Sequence, residues 1–234
     1  MRAERGPAPG DRTLFEDATV PTLRVAVSEM SWLLSRAYPE AASLKLVGDR
    51  YALTARQRKA VQRCACSDAS RDGRITKRLP VDSLSGAGLS IDGFNCIIVI
   101  ESLLSGAPVF RGRDGALRDL AGVHGTWRQL GMTKRVLSTV GAVLTRAGAG
   151  PVRWWLDRPV SNSGRLRALL LELAVELHQD WSVELVDDPD RVLINSSEAV
   201  ATADAWILDS CESWVDLPQK VAETVPSAWI IDLA

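Results

Sequence analysis

Three aspartates in this chain directly follow predicted β-strands, and their placement suggests metal chemistry. Asp92 lies in Ser-Ile-Asp-Gly-Phe-Asn, Asp157 ends Trp-Trp-Leu-Asp, and Asp204 ends Ala-Thr-Ala-Asp. Because the carboxyl ends of parallel strands line one crevice, we expect these side chains to converge. Converging carboxylates repel one another unless a cation joins them, and Mg²⁺ or Mn²⁺ prefers oxygen ligands. Such an ion can activate a water and stabilise a phosphoryl oxygen, as phosphodiester hydrolysis requires.

Each aspartate also has a purely structural interpretation. Asp92 can form an Asx turn, Asp157 can pair with Arg158, and Asp204 can cap the segment that follows it. The sequence leaves both interpretations open for all three.

Two polar segments are candidate substrate-binding loops. Ser161, Asn162 and Ser163 precede a predicted helix, where hydroxyls and backbone amides can hold a phosphate or simply cap the helix. A glycine-broken segment that begins at residue 111 is typical of an active-site loop or of a solvated connection. The candidate substrate contacts in this segment are Arg111, Arg118 and His124. Asn95, which follows the first strand, is a further candidate. His124 has no defined partner, so the sequence does not support it as a general base.

The elements that must position these residues fall into two modules. The first is a small helical bundle with helices predicted over residues 21–36, 40–47 and 55–66. Apolar residues three and four apart mark the first of these helices, and Thr54 with Gln57 forms a capping box at the third. Residues 1–19 are predicted to be a disordered leader and residues 20–80 a basic helical domain (the head), in which the polar stretch 67–79 is a linker or a long loop.

The second module, residues 81–234, is predicted to be an α/β domain with a mostly parallel sheet and helices on both faces. Strands are predicted over residues 89–92, 152–157, 181–186, 199–203, 206–208 and 229–231, and helices over 132–147 and 164–178. Residues 96–104 stay ambiguous, because their β-branched run favours a strand while the following glycine favours a helix.

The two modules differ in charge. Residues 1–80 contain 15 Lys and Arg against 9 Asp and Glu, which leaves 13 basic and 20 acidic residues of the totals 28 and 29 for residues 81–234. A basic head can hold a polyanion by neutralising phosphates, although a solvated helix surface often carries the same excess. The head residues proposed to contact nucleic acid are Arg56, Arg58, Lys59 and Arg63.

Several classes of protein are disfavoured. Four cysteines in a C-x-C pair and two singles, with two histidines, do not match a zinc site and are typical of a reduced cytoplasmic chain. No apolar run approaches the ~18 residues of a membrane span. The sequence contains no P-loop, no Gly-x-Gly-x-x-Gly and no Gly-x-Ser-x-Gly. Phe94 stands where haloacid-dehalogenase phosphatases need a second aspartate.

Two family resemblances add to this interpretation. Ile91-Asp-Gly-Phe-Asn95 and Ala201-Thr-Ala-Asp204 resemble strand ends of the PIN-like nucleases, which implies an α/β/α sandwich and metal-dependent RNA cleavage. That likeness implies Asp92, Asp157 and Asp204 as catalytic, metal-binding acids, with Glu101, Asp114 and Asp119 competing as a further acid. Nearly the whole chain also resembles an uncharacterised prokaryotic family, domain of unknown function 434. Its matching stretches are Ser31–Arg36, Lys45–Tyr51, Asp119–Gly125 and Pro159–Gly164.

The sequence therefore predicts a Mg²⁺- or Mn²⁺-dependent nuclease with RNA as the expected substrate, whose basic head binds the nucleic-acid strand. Two alternatives stay open. One is a non-catalytic module that binds RNA or a nucleotide, and the other is a protein-interaction domain. The sequence predicts no membrane partner and does not predict an oligomeric state.

Overall fold

The computed structural model describes residues 6–121 and 131–234, and these contain eleven α-helices and eight strands. The helices are Asp11–Leu14 (α1), Val20–Leu34 (α2), Glu40–Arg50 (α3), Ala55–Cys64 (α4), Asp68–Lys77 (α5), Gly93–Leu104 (α6), Thr133–Ala147 (α7), Ser163–Glu176 (α8), Pro189–Ile194 (α9), Ala205–Ser210 (α10) and Leu217–Ala222 (α11). The strands are Leu89–Asp92 (β1), Val109–Arg111 (β2), Leu117–Arg118 (β3), Val152–Asp157 (β4), Trp181–Val186 (β5), Ala199–Ala201 (β6), Trp214–Val215 (β7) and Ile230–Asp232 (β8).

Five strands form a sheet in the order β5-β4-β1-β6-β7, and every neighbouring pair is parallel. From β1 the chain moves outward to β4 and β5, then returns to the other side of β1 with β6. This reversal places a topological switch point at β1, where the carboxyl ends of an open parallel sheet form a ligand crevice. The predicted α/β class with a mostly parallel sheet is confirmed.

Helices cover both faces of this sheet, as the alternation of side chains along a strand requires. In β6, Ala199 and Ala201 belong to the core packed by α6, α7, α8 and α11. Val200 between them belongs to a second core, packed by α9 and α10. The three layers hold the carboxyl ends of β1, β4 and β6 in a fixed register.

A second sheet joins the α/β domain to the head. In it β2 pairs antiparallel with β3 and parallel with β8. The core of α1 to α4 closes on this sheet, where Phe15 meets Phe110 edge-on with ring centroids 4.8 Å apart. Ile231 and Leu233 from the end of the chain belong to the same core. The head therefore shares its hydrophobic core with the α/β domain.

The prediction of a linker over residues 67–79 is wrong, because residues 68–77 form α5. The Ser67 hydroxyl accepts a hydrogen bond from the Ser70 amide and caps the helix. Arg74 is the one buried residue of α5, and it is held by Asp114 and Asp209. A helix that docks through a buried arginine has no apolar stripe, which is why hydrophobic periodicity did not predict it.

Two other predictions are also wrong. The leader is not disordered over residues 10–15, because Asp11 begins α1 and binds Arg56, while Phe15 is buried. Residues 206–208, predicted as a strand, lie in α10, whose start Asp204 caps. In the first segment the contact of Asp11 with Arg56 stabilises a polar sequence. In the second, the cap at Asp204 starts a helix in an apolar run that favours a strand.

Other local predictions hold. The capping box of Thr54 and Gln57 opens α4, with both of its hydrogen bonds present. The ambiguous run after residue 96 is the buried helix α6. The last predicted strand forms as β8, in the second sheet. Among the described helices, none combines the length and apolarity needed to cross a membrane.

Candidate active site

Of the three carboxylates predicted to converge, Asp92 and Asp204 lie close enough for their charges to interact, and Asp157 is linked to them through Asp190. Asp92 ends β1, Asp157 ends the neighbouring β4, and Asp204 follows β6 on the other side of β1. Burial, with the nearby charges of Asp204 and Asp190, raises the pKa of Asp92 to about 7. Burial also raises the pKa of Asp157, helped by Asp188. The switch point of the sheet is therefore strongly acidic.

Asp190 is a further member that sequence reasoning missed. It lies in the first turn of α9, just beyond the carboxyl end of β5. Burial raises the pKa of Asp190 to about 6, and the charges of Asp204, Asp157 and Asp188 add to the effect. The run Asp187-Asp-Pro-Asp190 after a predicted strand was the available signal, but it looked like an ordinary turn. We call Asp92, Asp157, Asp190 and Asp204 the acidic cluster.

Short hydrogen bonds fix two members of the cluster. The Thr202 hydroxyl donates to Asp92 Oδ2 at 2.8 Å and accepts from the Asp204 amide at 3.0 Å. Asn95 Oδ1 accepts from the Ala203 amide at 2.9 Å. The segment 202–204 is thus held against the end of β1 and the first turn of α6 by Asp92 and Asn95.

The structural interpretations of two aspartates also apply. Asp92 caps α6, and Asp204 Oδ1 accepts hydrogen bonds from the Trp206 and Ile207 amides, at 2.9 and 3.3 Å. Asp157, by contrast, does not pair with Arg158, which binds Asp187 at 3.1 Å. For Asp92 and Asp204, capping and membership of the acidic cluster coexist.

The donor set suits a hydrated cation better than a dehydrated cage. Among the described residues, no three His, Cys, Asp or Glu side chains come together closely enough to hold a metal ion directly. The Asp190 carboxylate forms no hydrogen bond or ion pair with another described residue, and Asp204 Oδ2 receives no hydrogen bond from one. Mg²⁺ commonly binds through one or two carboxylates and keeps several waters, so these oxygens fit such an ion.

A cleft of about 300 Å³ lies between the head and the acidic cluster, and we call it the head cleft. Asn95, Ala203 and Asp204 line one wall, and Lys59 and Arg63 from α4 line the other. Burial and the neighbouring Arg63 lower the pKa of Lys59. Asp204 and two cationic side chains therefore line a space the size of a small ligand. The remaining lining residues are Glu40, Gln62, Ala65, Arg74, Arg118 and Ala205.

Arg118, predicted to contact substrate, is buried at the base of the head cleft. It binds Asp114 through two hydrogen bonds of 2.8 and 2.7 Å, and its Nε donates to the Ala203 carbonyl at 2.8 Å. Arg74 of the head donates to the same Asp114 at 2.7 Å. These two guanidinium groups hold the pKa of Asp114 well below its usual range, so Asp114 is committed to the arginines and not to the acidic cluster.

The other candidate acids lie apart from the cluster. Glu101 is fully buried nine residues along α6 from Asp92, about 13 Å by helix rise, and accepts a hydrogen bond from Thr133 at 2.7 Å. Asp119 is buried, and its charge acts on Lys59 on the basic side of the head cleft. The structure brings neither of them to the carboxyl ends of the strands.

The predicted substrate-binding and head residues are only partly brought together. Arg111 lies on β2 and faces Asp232 at 3.8 Å, while Arg56 is bound to Asp11 and Arg58 to Asp49. Only Lys59 and Arg63, of the four head residues predicted to contact nucleic acid, line the head cleft. His124 lies outside the described residues.

The Ser161–Asn162–Ser163 segment follows Asp157 and leads into α8. Ser161 and Asn162 are exposed, and Asn162 has a positive φ of 69°. Ser163 is buried and donates to the Arg158 carbonyl at 3.3 Å. The segment therefore lies at the carboxyl end of the parallel sheet, where the acidic cluster is. The Ser163 hydroxyl is already bound to the backbone of Arg158.

Comparisons with known proteins match the head and the α/β domain to two different families. The family described as Domain of unknown function (DUF5616) matches residues 81–220, and the family Protein of unknown function (DUF434) matches residues 22–77. The predicted resemblance to family 434 is thus confirmed, over the head alone. An uncharacterized protein of Methanocaldococcus jannaschii is 28% identical over 191 residues, which cover 81% of this chain and 90% of the relative. No solved structure matches significantly. None of these findings tests the likeness to PIN-like nucleases.

Proposed function

We propose that this chain, which belongs to the family described as Domain of unknown function (DUF5616), is a divalent-metal-dependent phosphodiesterase that cleaves RNA. One observation carries the proposal: Asp204, a member of the acidic cluster at the switch point of a parallel sheet, lines the head cleft together with Lys59 and Arg63. The PIN-like resemblance of the strand ends, and with it a PIN-like sandwich, belongs to the same proposal.

The acidic half supplies a site for a cation. Buried aspartates with raised pKa values carry an electrostatic cost that a divalent ion removes by displacing their protons. Asp190 and Asp204 offer oxygens to the ion, and Thr202 orients Asp92 beside them. Bound Mg²⁺ or Mn²⁺ supplies a Lewis acid and an acidified water.

The basic wall of the head cleft binds the substrate. Lys59 and Arg63 neutralise backbone phosphates from the opposite wall, which offsets the repulsion between a polyanion and the acidic cluster. Arg118 keeps the segment that bears Asp204 in place through the Ala203 carbonyl. The substrate phosphate thus lies between fixed cations and the carboxylates.

Cleavage assays on mixed-sequence RNA and single-stranded DNA, with Mg²⁺ or Mn²⁺, test this proposal. Asp92→Asn and Asp190→Asn should each lower kcat/KM by about 100-fold or more, because a catalytic cation contributes several kcal/mol. Asp187→Asn is the matched control, since this exposed neighbour of Asp190 pairs with Arg158 outside the acidic cluster. Wild-type protein that binds RNA but never cleaves it with either metal would remove the catalytic claim.

A non-catalytic RNA- or nucleotide-binding module is the second candidate. It is favoured by the capping roles of Asp92 and Asp204 and by the lack, among described residues, of a preassembled three-ligand group. Under this alternative, salt-sensitive binding to RNA persists in Asp204→Asn, is weakened in Lys59→Ala and does not change with Mg²⁺.

A further inference from the structure

Trp206 differs from the other tryptophans of the structure. Among the seven that it describes, six place the ring against an arginine or another tryptophan, and Trp206 makes no such contact with a described residue. The partnered rings are Trp32 with Arg36, Trp155 with Arg153, Trp214 with Arg78, Trp229 with Arg12, and Trp154 with Trp181. The side chain of Trp206 is 50% exposed, so an aromatic surface is left open to solvent.

The backbone of Trp206 lies directly beside the head cleft. Its backbone amide donates to Asp204 Oδ1 at 2.9 Å, and both Asp204 and Ala205 line the cleft. The next two residues, Ile207 and Leu208, are buried in the core between the sheet and α10. Trp206 therefore stands on an anchored helix next to the acidic cluster.

Stacking on a nucleobase is the interaction that this arrangement offers. Every base has a π-face, and proteins that bind single strands combine cationic grooves with aromatic platforms. Lys59 and Arg63 supply the cationic wall. At about 300 Å³ the head cleft is at the small end of ligand sites, so it suits one nucleotide of a strand and not a duplex.

We propose that Trp206 is a base-stacking platform and that the head cleft takes single-stranded nucleic acid, with a base on Trp206 and a neighbouring phosphate at Lys59 and Arg63. The nature of the ligand rests on the proposed function. The stacking itself requires no cleavage, so binding and turnover can be tested separately.

Fluorescence anisotropy of a labelled short RNA, with the full-length chain in EDTA, tests the platform. Trp206→Ala should weaken binding by roughly 5- to 150-fold, and Trp206→Phe should retain most of it, because stacking contributes about 1–3 kcal/mol per base. The same strand annealed to its complement should bind the wild type more weakly. Trp32→Ala, at a tryptophan of α2 that is 54% exposed and does not line the head cleft, is the matched control.

An abasic substitution in the RNA completes the test. If one base stacks on Trp206, removing that base at the correct position weakens the wild type as much as Trp206→Ala does, and the two changes together add little. Full additivity at every position would overturn the platform, as would equal affinity of Trp206→Ala and wild type.

The failure modes are distinguishable. Intact stacking with no cleavage under any metal condition would remove the phosphodiesterase and leave the platform. Cleavage that Trp206→Ala leaves unchanged, on single strands and duplexes alike, would remove the platform and leave the phosphodiesterase. If the wild type bound neither RNA nor single-stranded DNA in EDTA or with Mg²⁺, both proposals would fall.

Discussion

Asp92 combines a structural and a chemical role in one side chain. It caps α6, it accepts a hydrogen bond from Thr202, and burial beside other aspartates raises its pKa to about 7. Between the ordinary pKa of 3.8 and this value the folded state keeps a proton that the unfolded chain releases. The free energy of unfolding therefore falls as pH rises through this window.

Asp92→Asn should make the protein more stable at high pH. Asparagine does not titrate and its oxygen can still cap α6, so the variant avoids the cost of a buried charge. We expect a gain of about 2–4 kcal/mol near pH 8 that shrinks to near zero below about pH 4. Urea unfolding across this range measures it, with the exposed Asp187→Asn as control. A difference between Asp92→Asn and wild type that does not change with pH would contradict the raised pKa.

The elements position the site by close backbone approach. Helix α6 begins at Gly93, directly after Asp92, and its first turn lies against the end of β4. A methyl group at Gly93 would meet the Leu156 side chain and lie 3.0 Å from the Trp155 carbonyl oxygen. A glycine is therefore required at the junction between β1 and α6, directly after Asp92.

Gly93→Ala should lower the free energy of unfolding by about 1–3 kcal/mol, because the added methyl overpacks this contact. Gly73→Ala in α5 is the matched control, since nothing lies within 4 Å of its added Cβ. Alanine replaces glycine inside a helix there, so we expect a gain of about 0.5–1 kcal/mol. Urea unfolding of both variants decides the point. Equal effects at the two positions would show that Gly93 is not tightly packed.

At the scale of the whole molecule, the head and the α/β domain form one folding unit. The core of the head is completed by Phe110, Leu120, Ile231 and Leu233. Arg74 of α5 joins Asp114 and Asp209 across the same boundary. The two family matches meet near residue 80, but the hydrophobic core of the head continues across that position into the α/β domain.

A fragment of residues 1–80 should therefore fail to fold alone. Without the four core residues from beyond residue 80, its buried apolar surface and Arg74 lose their partners. Circular dichroism should show no cooperative thermal transition for the fragment and a single transition for the full chain. A cooperative transition of the isolated fragment would contradict the shared core.

Part of the site was predictable because it depends on the order of strands and helices along the chain. Alternating strands and helices imply a parallel sheet, and aspartates after such strands must meet at one edge, which explains why Asp92, Asp157 and Asp204 were found. Asp190 was missed because it follows its strand by several residues inside a turn-like run. The metal, the nuclease activity and the cytoplasmic location stay predictions.

The amino-acid sequence by itself determined the elements with local signals: the capping box of α4, the apolar helices, and the strand ends that carry carboxylates. These signals depend on neighbours three or four residues away. Only the tertiary structure decided that α5 docks through Arg74, that Arg56 and Arg58 are committed to other carboxylates, and that Lys59 and Arg63 face Asp204. Such pairings join residues far apart in the chain, and their partners follow from how the whole chain packs rather than from local spacing.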